Sequence, residues 1–309
     1  MNTCIGIDVA KDSLAVCTWP GQQHLTFANT PEGHAQLIQS LRGQRVDHLL
    51  LEATGGYERR VRTALLRAGH PVTRINPQRA RAFALAMGTI AKTDRIDAAQ
   101  LARMAQVLVP SPAARCEPER EALRELVKRR EQLVGQRDDE RRRLKQAELS
   151  VVREDMIDNI AQLQRRIGVL DRRIVEQSRI LDDTLGQRLQ AVPGIGPVTR
   201  ASLMAYLPEL GTLDRRQVAA LAGLAPYNVD SGRWSGKRAI RGGRAALRRV
   251  LYMACLSVIR TQADFKCRYQ ALRQRGKCAK VAITACMRVL LVRLNAMVRD
   301  NTEWRMQML

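Results

Sequence analysis

Lys92-Thr93-Asp94-Arg95-Ile96-Asp97-Ala98 carries two carboxylates three residues apart, so on a helix both project from one face. Such a pair is ordinary on a solvated helix. Two earlier acids give it weight. Asp8 closes the apolar run Cys4-Ile5-Gly6-Ile7, and Glu52 closes His48-Leu49-Leu50-Leu51. An acid at the end of a buried strand is costly unless a cation or hydrogen bonds compensate it, and this chain has two.

The segments around these acids set the expected fold. Residues 3–9, 13–19 and 24–28 read as strands, with turns at Ala10-Lys11-Asp12 and Pro20-Gly21. Pro31 opens a helix to about Leu41, with Ala35, Leu37, Ile38 and Leu41 on one face. A strand ending at Glu52 follows, then a Gly55-Gly56 loop, a helix over 57–68, a strand over 71–75, and helices over 78–88 and 94–107. Three hairpin-linked strands followed by helix-strand-helix-strand-helix is the order of a ribonuclease-H-like mixed sheet. In that fold the first strand, the fourth strand and the last helix converge, which gathers Asp8, Glu52, Asp94 and Asp97. Four carboxylates at one point repel without a cation. Mg²⁺ takes oxygen ligands, so one or two Mg²⁺ ions are the expected occupants. His24, His34, His48 and His70 show no ligand spacing and read as surface or loop residues.

Pro110, Pro112 and Pro118 mark a linker. Beyond it Leu123, Leu126, Leu133, Leu144, Ala147 and Val151 keep a 3-4 spacing, and Met156, Ile160, Leu163, Ile167, Leu170 and Ile174 repeat more regularly. Two long helices joined near 150–156 are predicted, either as an internal hairpin or as a coiled coil between subunits. The expected division is an α/β domain over 1–109, a linker and coiled-coil segment over 110–187, and a mostly helical, basic domain over 188–309.

That last segment opens with Val192-Pro193-Gly194-Ile195-Gly196-Pro197. Gly194 and Gly196 suit either half of a helix-hairpin-helix grip on a DNA backbone or a plain tight turn. Next come Asp230-Ser231-Gly232-Arg233-Trp234-Ser235-Gly236-Lys237-Arg238 and Arg241-Gly242-Gly243-Arg244, then a helix with Leu247 and Arg248. A loop serine among cations is a candidate nucleophile toward phosphate, although most loop serines are only polar. The string ending at Lys237 is not a phosphate-binding P-loop: it is one residue short and Arg238 stands where Ser or Thr should follow.

Charge agrees with a polyanionic partner. The 309 residues carry a formal charge of +22, and residues 231–309 hold 18 Lys and Arg against 3 acids. Seven cysteines without a CxxC pair read as small buried hydrophobes in a reducing compartment. No signal peptide or apolar run long enough to span a membrane stands out, so a cytoplasmic protein is expected.

Taken together, Gly6-Ile7-Asp8-Val9-Ala10-Lys11, Leu51-Glu52-Ala53-Thr54-Gly55-Gly56-Tyr57 and Lys92–Ala98 resemble the N-terminal half of the DEDD insertion-sequence transposases, which include the Piv-type DNA invertases. Val192–Gly196, Ala222-Gly223-Leu224-Ala225-Pro226, Ser231-Gly232 and Arg241-Gly242 resemble the same family's C-terminal domain. The resemblance implies a RuvC-like recombinase of a mobile element that acts on target and donor DNA. Since some members are guided by a structured RNA from the element's own noncoding end, such a guide RNA is an expected partner here. It places the four catalytic, metal-binding acids on Asp8, Glu52, Asp94 and Asp97 and a nucleophilic serine on Ser231. Ser235, also followed by glycine, stays open as an alternative. DNA would become linked to the serine, with the acidic site of one subunit completed by the serine domain of another in a dimer or tetramer. Lys11, Gly194, Gly196, Arg233, Lys237, Arg238, Arg241, Arg244 and Arg248 are the candidate nucleic-acid contacts. The competing expectations are a RuvC-like nuclease without a serine step, a DNA invertase without RNA guidance, an actin-like nucleotide-binding protein, and a non-catalytic nucleic-acid-binding protein.

Overall fold

A computed structural model describes residues 3–108, 117–232, 234–236 and 238–304. Arg233, Lys237, Cys116 and the linker around Pro110 and Pro112 lie outside the described residues, as does the side chain of Ser235. The chain divides into two compact units, 1–116 and 117–309.

The first unit runs β1 (Thr3–Val9), β2 (Ser13–Trp19), β3 (His24–Ala28), α1 (Pro31–Ser40), β4 (Val46–Glu52), α2 (Glu58–Arg67), β5 (Val72–Ile75), α3 (Pro77–Ala86) and α4 (Asp94–Leu108). Its strands make one sheet in the order β3-β2-β1-β4-β5. The β1–β2 and β2–β3 pairs are antiparallel, while β1–β4 and β4–β5 are parallel. The expected mixed α/β sheet is therefore present.

Strand alternation sorts the side chains between two faces. Ile5, Ile7, Val9, Leu49 and Leu51 enter one apolar layer with Leu37, Val61 and Leu65 of α1 and α2. Cys4 and Leu50 face the other way and pack with Leu101, Met104 and Ala105 of α4. Asp8 and Glu52 share the parity of Cys4 and Leu50, so both emerge on the α4 side. Gly6 decides how close α4 comes. A Cβ there would overlap Ala98 O and Ala102 N, so glycine lets the helix backbone lie directly on β1.

The second unit begins with α5 (Pro118–Leu144) and α6 (Ser150–Gln190), which pack against each other through Leu133, Leu163 and Ile167. The internal hairpin is the arrangement found, and its connection falls at 145–149, ahead of the predicted 150–156. Leu149, Val151 and Val152 continue the apolar pattern across that turn but are exposed, which is why spacing alone misplaced the break. Next come α7 (Pro197–Tyr206), α8 (Arg215–Leu221), the short strands β6 (Pro226–Tyr227), β7 (Asp230–Ser231), β8 (Trp234–Ser235) and β9 (Ala239–Ile240), and then α9 (Ala245–Thr261), α10 (Ala263–Gln274) and α11 (Ala279–Arg299). Leu123, Val127, Ile174 and Leu189 of α5 and α6 share one core with α7–α11, so the helical hairpin belongs to the same compact body as the C-terminal helices.

Two expectations need correction. α11 is long and apolar enough to cross a membrane, with a mean hydropathy of 1.7 over its most apolar stretch. Its Ile283, Cys286, Leu290, Leu291 and Leu294 are buried in the C-terminal core, so the same composition serves packing. His34 and His48 are buried rather than on the surface. His34 Nε2 lies 2.8 Å from Asn29 Oδ1, and His48 Nδ1 lies 3.0 Å from Asp47 O.

Candidate active site

Parallel pairing of Ile7 with Leu51 sets Asp8 and Glu52 side by side at the C-terminal ends of β1 and β4. α4 starts over the same ends. Thr93 Oγ1 accepts the Ile96 N–H at 3.2 Å, fixing the first turn that carries Asp94 and Asp97. Carboxylates in the first turn also suit the positive end of the helix dipole.

The electrostatics record this convergence. The Asp8 pKa is pushed from 3.8 up to about 6, first by burial and then by Asp94, Asp97 and Glu52. Burial likewise raises Glu52, with Lys92 opposing and Asp97 adding to the rise. Burial raises Asp97 too, opposed by Lys92 and Arg81 and assisted by Asp94. A cleft of about 310 Å³ adjoins the acids, lined by Glu52, Asp97, Arg81, Lys92 and Gln100 over an apolar floor that includes Leu101 and Met104.

The donor set is all carboxylate, and hard divalent cations such as Mg²⁺ prefer oxygen donors. Partly buried acids that raise one another's pKa fit such a cation, because it would supply the missing counter-charge. Among the described residues, however, no three acids, histidines or cysteines already stand within reach of one ion. Glu52 and Asp97 border the cleft, and the four acids would have to draw closer together to share a metal.

Sequence reading missed Glu58, the first residue of α2, which is 2% exposed. It accepts Thr54 N–H at 3.2 Å and Gly56 N–H at 2.9 Å, and pairs with Arg74 at 3.1 Å. It thereby pins the loop that leaves Glu52. The available signal was the Gly55-Gly56 loop, whose N–H groups need acceptors, with an acid two residues further on. Lys92 and Arg81 were also missed as cleft residues. Arg81 Nη2 donates to Ile90 O at 3.1 Å, and Gln100 Nε2 donates to Thr89 Oγ1 at 2.8 Å, so both anchor the loop carrying Lys92.

Comparison with known proteins supplies the family. A transposase model, the DEDD type of IS110, matches residues 5–152, and a second, described as "Transposase IS116/IS110/IS902 family", matches residues 186–270. Pilin gene-inverting proteins of Moraxella lacunata and Moraxella bovis are each 32% identical over 318 aligned residues, covering 97% of this chain and 97% of theirs.

The chain belongs to the IS110 family of transposases.

It is thus a DNA transposase or recombinase of an IS110-like mobile element. An IS900 insertion-element protein of Mycobacterium paratuberculosis is 32% identical over 47% of this chain and 38% of its own length. Among solved structures, T. thermophilus RuvC in complex with Holliday junction substrate covers 37% of this chain and 100% of that chain at 15% identity, with a TM-score of 0.30, a likeness too slight to argue from.

In the transposase's second unit, Ser231 lies exposed in a small hairpin, paired with Trp234 across a turn in which Gly232 takes φ +57°. Gly236, after Ser235, is required by packing: a Cβ there would overlap Val229 O. Lys11, Arg238 and Arg241 are exposed. Arg244 and Arg248 are instead tied into the fold. Arg244 forks onto Glu209 at 2.6 and 2.7 Å and reaches Tyr206 O at 2.8 Å, while Arg248 Nη1 bonds Ala222 O at 3.2 Å and also Gly242 O. Gly194, at φ +94°, lies against Val258 of α9, and Gln262 Nε2 donates to Pro193 O at 2.7 Å. The Val192–Pro197 turn thus has a packing explanation. Gly196 is exposed and caps α7 without a side-chain bond.

Proposed function

We propose that this transposase cuts and rejoins DNA with Asp8, Glu52, Asp94 and Asp97 holding one or two Mg²⁺ ions and Ser231 storing the broken phosphodiester. The observation that carries the reading is the convergence of four acids at one end of β1, β4 and α4, with Asp8 raised to about 6. The mixed strand order supports a RuvC-like assignment of the first unit. Bound there, Mg²⁺ would neutralise charge developing on the scissile phosphate.

The chain's own residues supply the rest. Glu58 holds the loop after Glu52, and Lys92 and Arg81 keep the acids from excessive mutual repulsion before substrate enters. Exposure of Ser231 on a hairpin lets its Oγ approach a phosphate. In the transfer step the Oγ–P bond forms while one sugar O–P bond breaks. The seryl proton goes to solvent, and the leaving sugar oxygen takes one up. A sugar hydroxyl of the receiving strand then reverses the exchange, Oγ regains its proton, and no external energy source is needed. Residues 1–109 would act as the catalytic segment, 110–187 as the spacer and 188–309 as the serine-bearing segment. Lys11, Arg238 and Arg241 would contact the DNA backbone.

The pilin gene-inverting proteins aligned along 97% of both chains favour recombination directly between DNA sites, inversion included, over the RNA-guided reading. Strand exchange needs more than one cut, so we infer a dimer or tetramer, working in the reducing cytoplasm suited to free thiols. The exposed apolar tip of the α5–α6 hairpin supports self-association.

The test is a covalent-adduct assay with the chain expressed beside its native flanking DNA. DNA retained on denatured protein, and lost in Ser231→Ala, is expected. An adduct kept in Ser231→Ala but lost in Ser235→Ala moves the nucleophile. Cut DNA without any adduct overturns the serine step and leaves a hydrolytic nuclease.

A further inference from the structure

The end of α6 and the start of α7 border a second polar cavity, open to solvent and of about 340 Å³, lined by Arg179, Asp183, Gln187, Gln190 and Arg200. Arg200 is 4% exposed. Its guanidinium lies against Gly186 of α6, within 3.8 Å of where a Cβ would stand, so glycine leaves room for it. Nη1 donates to Gln190 Oε1 at 2.6 Å, but the buried Nε–H has no acceptor among the described residues.

A buried guanidinium ordinarily forks onto a carboxylate, because a buried cation without a counter-charge is strongly disfavoured. Among the described residues no carboxylate forks onto Arg200. Asp183 accepts from Gln187 Nε2 at 2.7 Å. Burial lowers the Arg200 pKa, the like charge of Arg179 lowers it further, and Asp183 offsets only part of this. The cavity thus holds two cations, one carboxylate and an unanswered N–H. The feature that would complete it is an anion.

We propose that this cavity binds a backbone phosphate of the nucleic acid on which the transposase acts, with Arg200 as the buried donor and Arg179 as the outer cation. The approach to the cavity favours a polymer over a free phosphorylated molecule. Arg165, Arg172 and Arg179 are exposed and recur every seven residues on α6, which sets them on one face roughly 10 Å apart and leading to the cavity. A single small anion would need no such track. The assignment rests on the DNA-acting reading but uses none of the four acids.

The experiment uses the full chain and two probes, inorganic phosphate and a short fluorescein-labelled duplex. Phosphate, compared with chloride at matched ionic strength, is expected to raise the Tm of the wild type but not of Arg179→Gln or Arg200→Gln. Arg179 is exposed, so its variant keeps the fold even if Arg200→Gln does not. For the duplex, Arg179→Gln should weaken binding several-fold and reduce the slope of log affinity against log salt by about 1. A phosphate effect lost in Arg179→Gln with an unchanged salt slope overturns the nucleic-acid source and assigns the cavity to a free phosphorylated ligand. No phosphate effect and no change in slope overturn the site altogether. Mg²⁺-dependent cleavage of the same duplex by the wild type, and its loss in Asp94→Asn, reports separately on the DNA-cutting reading.

Discussion

Replacing Asp8 with asparagine in metal-free buffer should stabilise the first unit. Its pKa lies at about 6 in the fold against 3.8 for the free side chain, so at pH 7.5 the ionised carboxylate opposes folding by up to ~3 kcal/mol. The sign follows from the raised value: the folded state binds the proton more tightly, so stability increases as pH falls through 6 toward 4. At pH 4.5 the same arithmetic leaves about 1 kcal/mol. Hydrogen exchange of the full chain, read as protection factors for the β1 and β4 amides, isolates this unit from the other. Asp8→Asn should exchange roughly 10- to 100-fold more slowly than wild type at pH 7.5, and the gap should narrow at pH 4.5. Adding Mg²⁺ should slow exchange in the wild type more than in the variant. Equal or lower protection in Asp8→Asn at pH 7.5 would refute the idea that burial, reinforced by the neighbouring acids, disfavours the ionised Asp8.

Three further substitutions probe the parts around that centre. Gly6→Ala places a methyl group in the backbone of α4 and should destabilise the first unit by ~3 kcal/mol or more, measured by urea unfolding. Glu58→Ala leaves the Thr54 and Gly56 N–H groups unanswered and should lose ~2–3 kcal/mol together with most DNA cleavage, at unchanged DNA affinity; Glu58→Gln should recover part of both. Lys92→Gln removes a cation that competes with metal for Glu52 and Asp97, and should tighten Mn²⁺ binding by about 2- to 5-fold in calorimetry.

Much of the first unit was legible because strand alternation and Gly or Pro breaks are local signals. The even parity of Asp8 and Glu52 could be read from the sequence, and so could Asp94 and Asp97 on one helical turn. The closeness of α4 to β1 could not, since Gly6 acts through a helix some ninety residues downstream. Glu58 was hidden for a related reason: its role is to answer loop N–H groups, which leave no pattern in side-chain hydrophobicity. In the second unit, basic residues read alike whether they face solvent or the fold. Arg238 stays exposed, whereas Arg244 spends its donors on Glu209 and Tyr206. Composition was equally blind for α11, where a core helix and a membrane span satisfy one criterion.

The most direct measurement is cleavage of the element's own DNA ends by wild type and Asp94→Asn across a Mg²⁺ titration, with DNA binding followed in parallel. Asp94 is exposed at the start of α4, so its replacement should leave the fold and DNA affinity intact. Cleavage that rises with Mg²⁺ in the wild type and is lost by at least a hundredfold in Asp94→Asn is the expected result. Undiminished cleavage by Asp94→Asn, or full wild-type cleavage in excess EDTA, would contradict a metal-dependent carboxylate centre.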